Sequence, residues 1–137
     1  RDIRTINFKF FKLWHSKDSE QIVRYCRLLV GTAGCELPFR FSPSMRMVVQ
    51  LVGRSIVSLF RPEAWSYLYP CPRSGNSYGK SLLERARWDE SRFPKLMHAT
   101  VYTEELRPGE ILYIPPLWWC HIKMLTKETT LLSFEFF

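Results

Sequence analysis

Short apolar segments separated by glycine and proline occupy most of the sequence from residue 25 onward. Segments of strand length joined by such turns are typical of antiparallel barrels and sandwiches. The pattern predicts a mainly β domain, all-β apart from one or two short helices. The predicted strands cover residues 25–30, 38–41, 45–52, 56–60, 99–106, 110–114, 118–124 and 129–137.

The connections between these segments carry their own signals. Gly53 separates segments 45–52 and 56–60, which predicts a hairpin. Pro62 stands at a favourable first helical position, so residues 61–68 are expected to form one or two helical turns. A further short helix is predicted within residues 81–87.

The length of the chain sets its domain organisation. With 137 residues, of which 46% are hydrophobic, there is room for one well-filled core. We assign residues 1–26 to an N-terminal arm or edge strand and residues 27–137 to the barrel. No apolar stretch approaches the ~18 residues of a membrane span, so no membrane partner is expected. The chain opens on Arg1 rather than methionine, and we expect it to be processed or excerpted.

The cysteines argue against a structural zinc site. They form no Cys-x-x-Cys pair and have no histidine at zinc-finger spacing. Free, reduced thiols suit an intracellular protein (nuclear, cytoplasmic or organellar) better than a small secreted one. The four cysteines are Cys26, Cys35, Cys71 and Cys120.

The charge balance points to an anionic neighbour. The formal net charge is +7, from 20 Lys and Arg against 13 Asp and Glu, and it is dispersed along the chain. The N-terminal arm interleaves basic and aromatic residues, as a nucleic-acid or partner-binding platform does; an ordinary amphipathic edge strand is the alternative. The arm residues concerned are Lys9, Phe10, Phe11, Lys12 and Trp14.

Several separate motifs resemble one known family, in consistent order over roughly residues 27 to 137. They are similar to the JmjC or cupin-8 group of Fe(II)- and 2-oxoglutarate-dependent oxygenases. The resemblance implies a double-stranded β-helix, the cupin or jelly-roll barrel. The motifs are Leu28-Leu-Val-Gly-Thr-Ala-Gly34, Gln50-Leu-Val-Gly-Arg54, Leu59-Phe-Arg-Pro-Glu63, Tyr67-Leu-Tyr-Pro70, Arg92-Phe-Pro-Lys-Leu96 and the block from Pro108 to Trp119.

The resemblance also implies where a metal site would lie. In the family, a His-x-Asp motif and a later histidine bind iron and leave positions open for co-substrate and oxygen. Here Arg40 and Ser42 fall on the His-x-Asp positions, and Cys120 falls on the later histidine. A guanidinium offers no lone pair, a hydroxyl is a poor iron ligand, and one thiolate alone is not an iron site. His121 is adjacent to Cys120, but neighbouring strand residues face opposite ways.

The co-substrate position differs as well. Ser55 falls where family members that inhibit hypoxia-inducible factor carry the lysine that binds 2-oxoglutarate. A charge buried at Arg40 would need a carboxylate partner, and Glu135 is the candidate. The sequence therefore predicts an Arg40–Glu135 pair plugging the barrel. The alternative is that Arg40 reaches outward to solvent.

Three functions follow from these positions. The first is a catalytically inactive JmjC-like domain, a pseudo-oxygenase acting as a binding or structural module, with a protein or RNA partner in a larger assembly and with no cofactor. The second is an active Fe(II)/2-oxoglutarate-dependent hydroxylase or demethylase of protein or RNA with an atypical ligand set. The third is a cupin that senses an anion or carboxylate, in a pocket made cationic by Arg40 and Arg46.

Overall fold

A computed structural model describes residues 23–72, 79–85 and 91–136. Within these ranges the chain forms two four-stranded antiparallel sheets and three short 3₁₀ helices. The strands are β1 (Val23–Gly31), β2 (Glu36–Arg40), β3 (Met45–Val52), β4 (Ser55–Phe60), β5 (Val101–Leu106), β6 (Ile111–Ile114), β7 (Trp119–Met124) and β8 (Thr129–Phe136). The 3₁₀ helices are Pro62–Tyr67, Leu82–Arg85 and Pro94–His98.

The strand order is that of a jelly roll. The first sheet has the order β1-β8-β3-β6 and the second has β2-β7-β4-β5. Apart from the pair β4 and β5, strands that follow one another along the chain lie in different sheets. The predicted double-stranded β-helix with short helices is therefore confirmed.

The predicted hairpin at Gly53 is wrong. Strand β3 pairs with β6 and β8, whereas β4 pairs with β5 and β7 in the other sheet. Gly53 has a φ of +71°, and a Cβ placed there would overlap Thr126 Oγ1 and the Glu128 carbonyl oxygen. The glycine therefore marks a corner at which the chain changes sheets against a neighbouring loop.

Two apolar clusters lie on opposite faces of the second sheet. The inter-sheet core fills the space between the sheets. It contains Val48, Val57, Leu59, Leu106, Ile114, Cys120, Ile122, Met124 and Leu131. The outer core joins the other face of the second sheet to the 3₁₀ helices. It contains Phe39, Phe41, Phe60, Ala64, Leu68, Leu83, Phe93, Leu96 and Trp119.

Most strand bounds differ from the sequence-based assignment by one or two residues, and one helix was not predicted. Strand β1 begins at Val23, before the predicted domain boundary at residue 27. The segment after Arg92 continues into the 3₁₀ helix Pro94–His98, which the sequence pattern did not predict.

The predicted arm residues Lys9, Phe10, Phe11, Lys12 and Trp14 lie outside the described residues. None of the described helices is long and apolar enough to cross a membrane.

Candidate functional site

A bulge in strand β2 decides which side chains face the space between the sheets. Leu37 lies opposite Ile122 and Arg40 lies opposite Cys120, so β2 has one residue more than β7 between these pairs. This β-bulge reverses the alternation of side chains along β2. Phe39 consequently packs in the outer core, while Arg40 shares the inner face with Cys120.

One row of inward-facing residues crosses the second sheet at this level. Arg40 pairs with Cys120, Cys120 with Leu59, and Leu59 with Tyr102. Residues directly opposite each other in antiparallel strands have side chains on the same face. Since Cys120 and Leu59 belong to the inter-sheet core, the whole row faces the first sheet.

A second row of residues crosses the first sheet and faces the first row across the space between the sheets. Tyr25 pairs with Glu135, Glu135 with Arg46, and Arg46 with Ile114. Ile114 is in the inter-sheet core, so this row faces inward too. The positive charge of Arg46 lowers the pKa of the Cys120 thiol in part, which places the two rows within electrostatic reach. We call these two rows the mouth of the barrel: Arg40, Cys120, Leu59 and Tyr102, and Tyr25, Glu135, Arg46 and Ile114.

The three positions that the resemblance assigns to metal ligands come together at the mouth. Arg40 is opposite Cys120, and the Ser42 carbonyl accepts a hydrogen bond from the Leu117 amide at 2.7 Å, in the loop before β7. Ser42 Oγ accepts a hydrogen bond from the Ser44 amide at 3.2 Å. Residues 40 and 120 are thus neighbours across two strands, and residue 42 is bonded to the loop that leads into β7.

The side chains at these positions do not fit Fe(II). Burial raises the pKa of Cys120 to about 11, the charge of Arg46 offsetting only part of this effect, so the sulfur is a thiol at neutral pH. Arg40 has no lone pair to give a metal, and Ser42 offers a neutral hydroxyl. Among the residues that the structure describes, no three His, Cys, Asp or Glu side chains form a group able to hold a metal ion.

His121 faces away from the mouth, as predicted. Its ring stacks on Phe39 with 4.8 Å between the ring centroids, and Nε2 lies 3.3 Å from Glu36 Oε2. Burial lowers the pKa of His121, although the Glu36 carboxylate acts in the opposite direction. The histidine cannot activate the Cys120 thiol because the two side chains are on opposite faces of β7.

The predicted Arg40–Glu135 pair is not found among the described residues. Glu135 Oε1 instead lies 3.9 Å from Arg27 Nη1, and the side chain of Arg40 is exposed. Glu135 and Arg40 both belong to the mouth, but they lie in different sheets, whereas Arg27 is on β1, next to β8 in the same sheet. Arg40 contacts Arg46 through its backbone: the Arg40 carbonyl oxygen accepts a 3.4 Å hydrogen bond from Arg46 Nη2.

Ser55, which the resemblance assigns to the co-substrate lysine, lies at the other end of the barrel. Ser55 opens β4 opposite Met124 and is fully buried. Within the described ranges its Oγ has no hydrogen-bond partner, and neither does Oε1 of the buried Gln50. Ser55 is thus a buried neutral hydroxyl, which offers no charge to a carboxylate.

An aromatic group at the mouth was missed in the sequence. The Arg61 guanidinium lies over the rings of Tyr102, at 5.5 Å, and Trp118, at 6.0 Å. Trp118 also packs against the inter-sheet core, while Trp119 is buried in the outer core, so the predicted division of this pair is confirmed. Arg61 directly follows β4, and Tyr102 is in β5. Their proximity could have been predicted only by predicting that these two strands pair.

The two antiparallel sheets define a cupin-type barrel, and comparison with known proteins agrees on the barrel. The profile of the cupin-like domain family matches residues 12–136. The chain therefore belongs to the cupin-like, JmjC-containing family. The profile also covers residues before the predicted boundary at 27.

Curated relatives carry JmjC names. The chain is 32% identical over 99 residues to JmjC domain-containing protein D of Dictyostelium discoideum, covering 72% of this chain and 22% of that protein. It is 32% identical over 96 residues to lysine-specific demethylase JMJ30 of Arabidopsis thaliana, covering 70% and 22%. The chain thus spans about a fifth of the length of these relatives.

A solved structure agrees on the fold alone. The crystal structure of BH2720 from Bacillus halodurans superposes with a TM-score of 0.50 at 13% identity. The superposition covers 81% of this chain and 60% of that one.

Proposed function

We propose that this chain is a catalytically inactive JmjC-like domain, a pseudo-oxygenase that acts as a binding or structural module. The observation that carries the proposal is the pairing of Arg40 with Cys120 across β2 and β7. The resemblance assigns these two positions to histidines of the family. A guanidinium and a protonated thiol at these positions offer Fe(II) neither the nitrogen ligands nor the carboxylate that it needs.

The co-substrate position supports the same conclusion. The resemblance assigns Ser55 to the position of the family's lysine. Its buried hydroxyl supplies no charge to the carboxylate of 2-oxoglutarate. The proposed domain therefore needs neither Fe(II) nor 2-oxoglutarate. The fold alone does not decide this, since one fold hosts many functions.

The outer face of the first sheet supports a role in a larger protein assembly. Leu28, Leu132, Val49 and Ile111 form one apolar row across it. Leu28 and Val30 expose 62% and 71% of their surface. A continuous apolar face of this kind suits a protein surface better than RNA, whose backbone presents charge. Replacing Leu28 and Val30 by lysine should lower the binding of an apolar fluorescent dye without lowering the melting temperature; unchanged dye binding would contradict this part of the proposal.

The main proposal is tested by metal analysis and calorimetry. Purified protein is loaded anaerobically with Fe(II), desalted and assayed for iron, and a second sample is titrated with 2-oxoglutarate in the presence of Mn(II). We expect iron far below one equivalent and no saturable heat from 2-oxoglutarate. One equivalent of iron together with saturable 2-oxoglutarate binding would overturn the proposal and favour an active oxygenase.

A further inference from the structure

The mouth of the barrel carries positive charge that the described residues do not neutralise. Arg46 and Arg40 are joined by the hydrogen bond from Arg46 Nη2 to the Arg40 carbonyl oxygen. The carboxylate at the mouth, Glu135, pairs with Arg27 at 3.9 Å. The ion pairs formed within the described ranges include neither Arg40 nor Arg46.

The position of Arg46 distinguishes it from an ordinary surface arginine. Its partners across the sheet are Ile114 and Glu135, and Val48, two residues further along β3, is 2% exposed in the inter-sheet core. The aliphatic part of the Arg46 side chain therefore starts beside the inter-sheet core. The charge of its guanidinium lowers the pKa of the buried Cys120 in the facing sheet. Charges next to apolar walls interact more strongly than charges in open water.

The opposite wall of the mouth is aromatic and cationic. Tyr102 and Trp118 lie 5.8 Å apart between ring centroids, and both are beneath the Arg61 guanidinium. In the part of the chain that the structure describes, the Arg61 guanidinium is held by these cation–π contacts and not by a carboxylate. A ligand entering between the sheets would therefore meet guanidinium groups on both walls.

We propose that the mouth binds a small organic oxyanion, a carboxylate or a phosphate ester, through the guanidinium groups of Arg40 and Arg46. Planar guanidinium groups bind both kinds of oxyanion in pairs of charge-assisted hydrogen bonds. The inference rests on the proposed non-catalytic function, because the anion occupies the place at which the family's metal would lie. It differs from the family's co-substrate position, since Ser55 is four residues from Leu59 along β4, or ~13 Å at strand spacing.

The test uses whole protein labelled at the arginine side chains with 15N, at low ionic strength and without metal. Phosphate, glycerol phosphate and succinate are titrated separately, with chloride at matched ionic strength as the reference. We expect saturable shifts of the Arg40 and Arg46 Nε–H signals with at least one of these anions. The phosphate and carboxylate arms then identify the class of ligand.

Matched variants decide whether these two arginines carry the binding. Arg46→Gln and Arg40→Gln should each weaken the affinity about tenfold or more, the loss of one charge-assisted contact. Arg54→Gln is the control: Arg54 is exposed, pairs with Glu105 at 3.2 Å and lies at the far end of β4. It should bind the anion as the wild type does. Thermal unfolding confirms that all three variants fold.

Two outcomes would overturn the inference. One is the absence of saturable shifts up to about 10 mM of every anion, since that corresponds to less than about 3 kcal/mol of binding free energy. The other is equal weakening in all three variants, which would reflect net charge rather than a site. Either result leaves the proposed function standing if iron also fails to bind, whereas stoichiometric iron would refute the proposed function itself.

Discussion

Arg40 lies directly opposite Cys120 in the register of β2 and β7, with both residues on the side of the sheet that faces the barrel interior. The relationship depends on the bulge between Leu37 and Arg40. Without it, the guanidinium would point toward the outer core, where Phe39 and Phe41 now pack. A backbone irregularity thus keeps position 40 aimed at the mouth even though its side chain is not a metal ligand.

The first prediction is that metal binding can be installed at these positions. The triple variant Arg40→His/Ser42→Asp/Cys120→His supplies two imidazoles and a carboxylate from positions that the structure brings together. It should bind about one equivalent of Mn(II) or Fe(II), measured by calorimetry and by metal analysis after desalting, because this donor set suits such ions.

The matched control keeps the first two substitutions and uses Cys120→Ala. His121 is then the remaining histidine of β7, and it faces Glu36 on the other side of the sheet. This variant should bind metal at least tenfold more weakly than the triple variant. Equal affinity in the two proteins would mean that position 120 does not face the site.

Much of the fold could be predicted because local patterns specify it. The strand over residues 45–52 has the predicted bounds, and the two tryptophans at positions 118 and 119 divide between the two cores as alternation requires. These are properties of one segment at a time. Periodicity of side chains is sufficient to predict them.

What could not be predicted depends on which strands pair. A glycine between two apolar segments is as consistent with a hairpin as with a corner, and only the pairing of β3 with both β6 and β8 excludes the hairpin at Gly53. Likewise, Glu135 on β8 pairs with Arg27 rather than Arg40, because Arg27 is on β1, the neighbouring strand in the same sheet. Long-range pairing is decided by packing of the whole domain rather than by local sequence.

The second prediction concerns thiol reactivity. Burial raises the pKa of Cys120 to about 11, whereas hydrogen bonds from Thr32 lower the pKa of the exposed Cys35. Since the thiolate is the reactive form, a thiol reagent at pH 7.5 should modify Cys35 first and leave Cys120 at least a hundredfold slower. Peptide mapping by mass spectrometry over time measures both rates.

Its control is Thr32→Val, which removes the hydroxyl that lies 3.7 Å from Cys35 Sγ. The rate at Cys35 should fall, while that at Cys120 stays the same. The raised pKa of Cys120 also affects stability. Because the folded state holds this proton more tightly than the unfolded state, the contribution of Cys120 to stability is complete below the unfolded pKa of 9.0 and is lost as the pH rises toward 11. Rapid modification of Cys120 at pH 7.5 would contradict its burial.

The third prediction is a loss of stability in mild acid that depends on His121. Burial lowers the pKa of this residue below its model-compound value of 6.5, against the opposing effect of Glu36. A lowered pKa means that the folded state prefers the neutral ring, so the stability is complete above pH 6.5 and declines as pH falls through the folded-state pKa. Melting temperatures between pH 8 and pH 5 measure the decline.

The variant His121→Phe keeps the stacking on Phe39 and removes the titrating group. It should flatten the profile over this pH range, whereas His98→Gln, at an exposed position, should not. A profile for His121→Phe that falls as steeply as the wild type would assign the acid sensitivity to another group.

The last prediction separates two costs of replacing a glycine. Gly53 and Gly34 both have positive φ values, +71° and +86°, which strain any residue that carries a Cβ. At Gly34 nothing lies within 4 Å of the added carbon, but at Gly53 it would overlap Thr126 Oγ1 and the backbone oxygen of Glu128. Gly34→Ala should therefore cost about 1 kcal/mol in the free energy of unfolding, from backbone strain alone. Gly53→Ala should cost at least ~2 kcal/mol more, because backbone cannot move aside as a flexible side chain can. Chemical denaturation of the two variants beside the wild type measures the difference, and equal costs would mean that the corner between the sheets is looser than the contacts of Gly53 require.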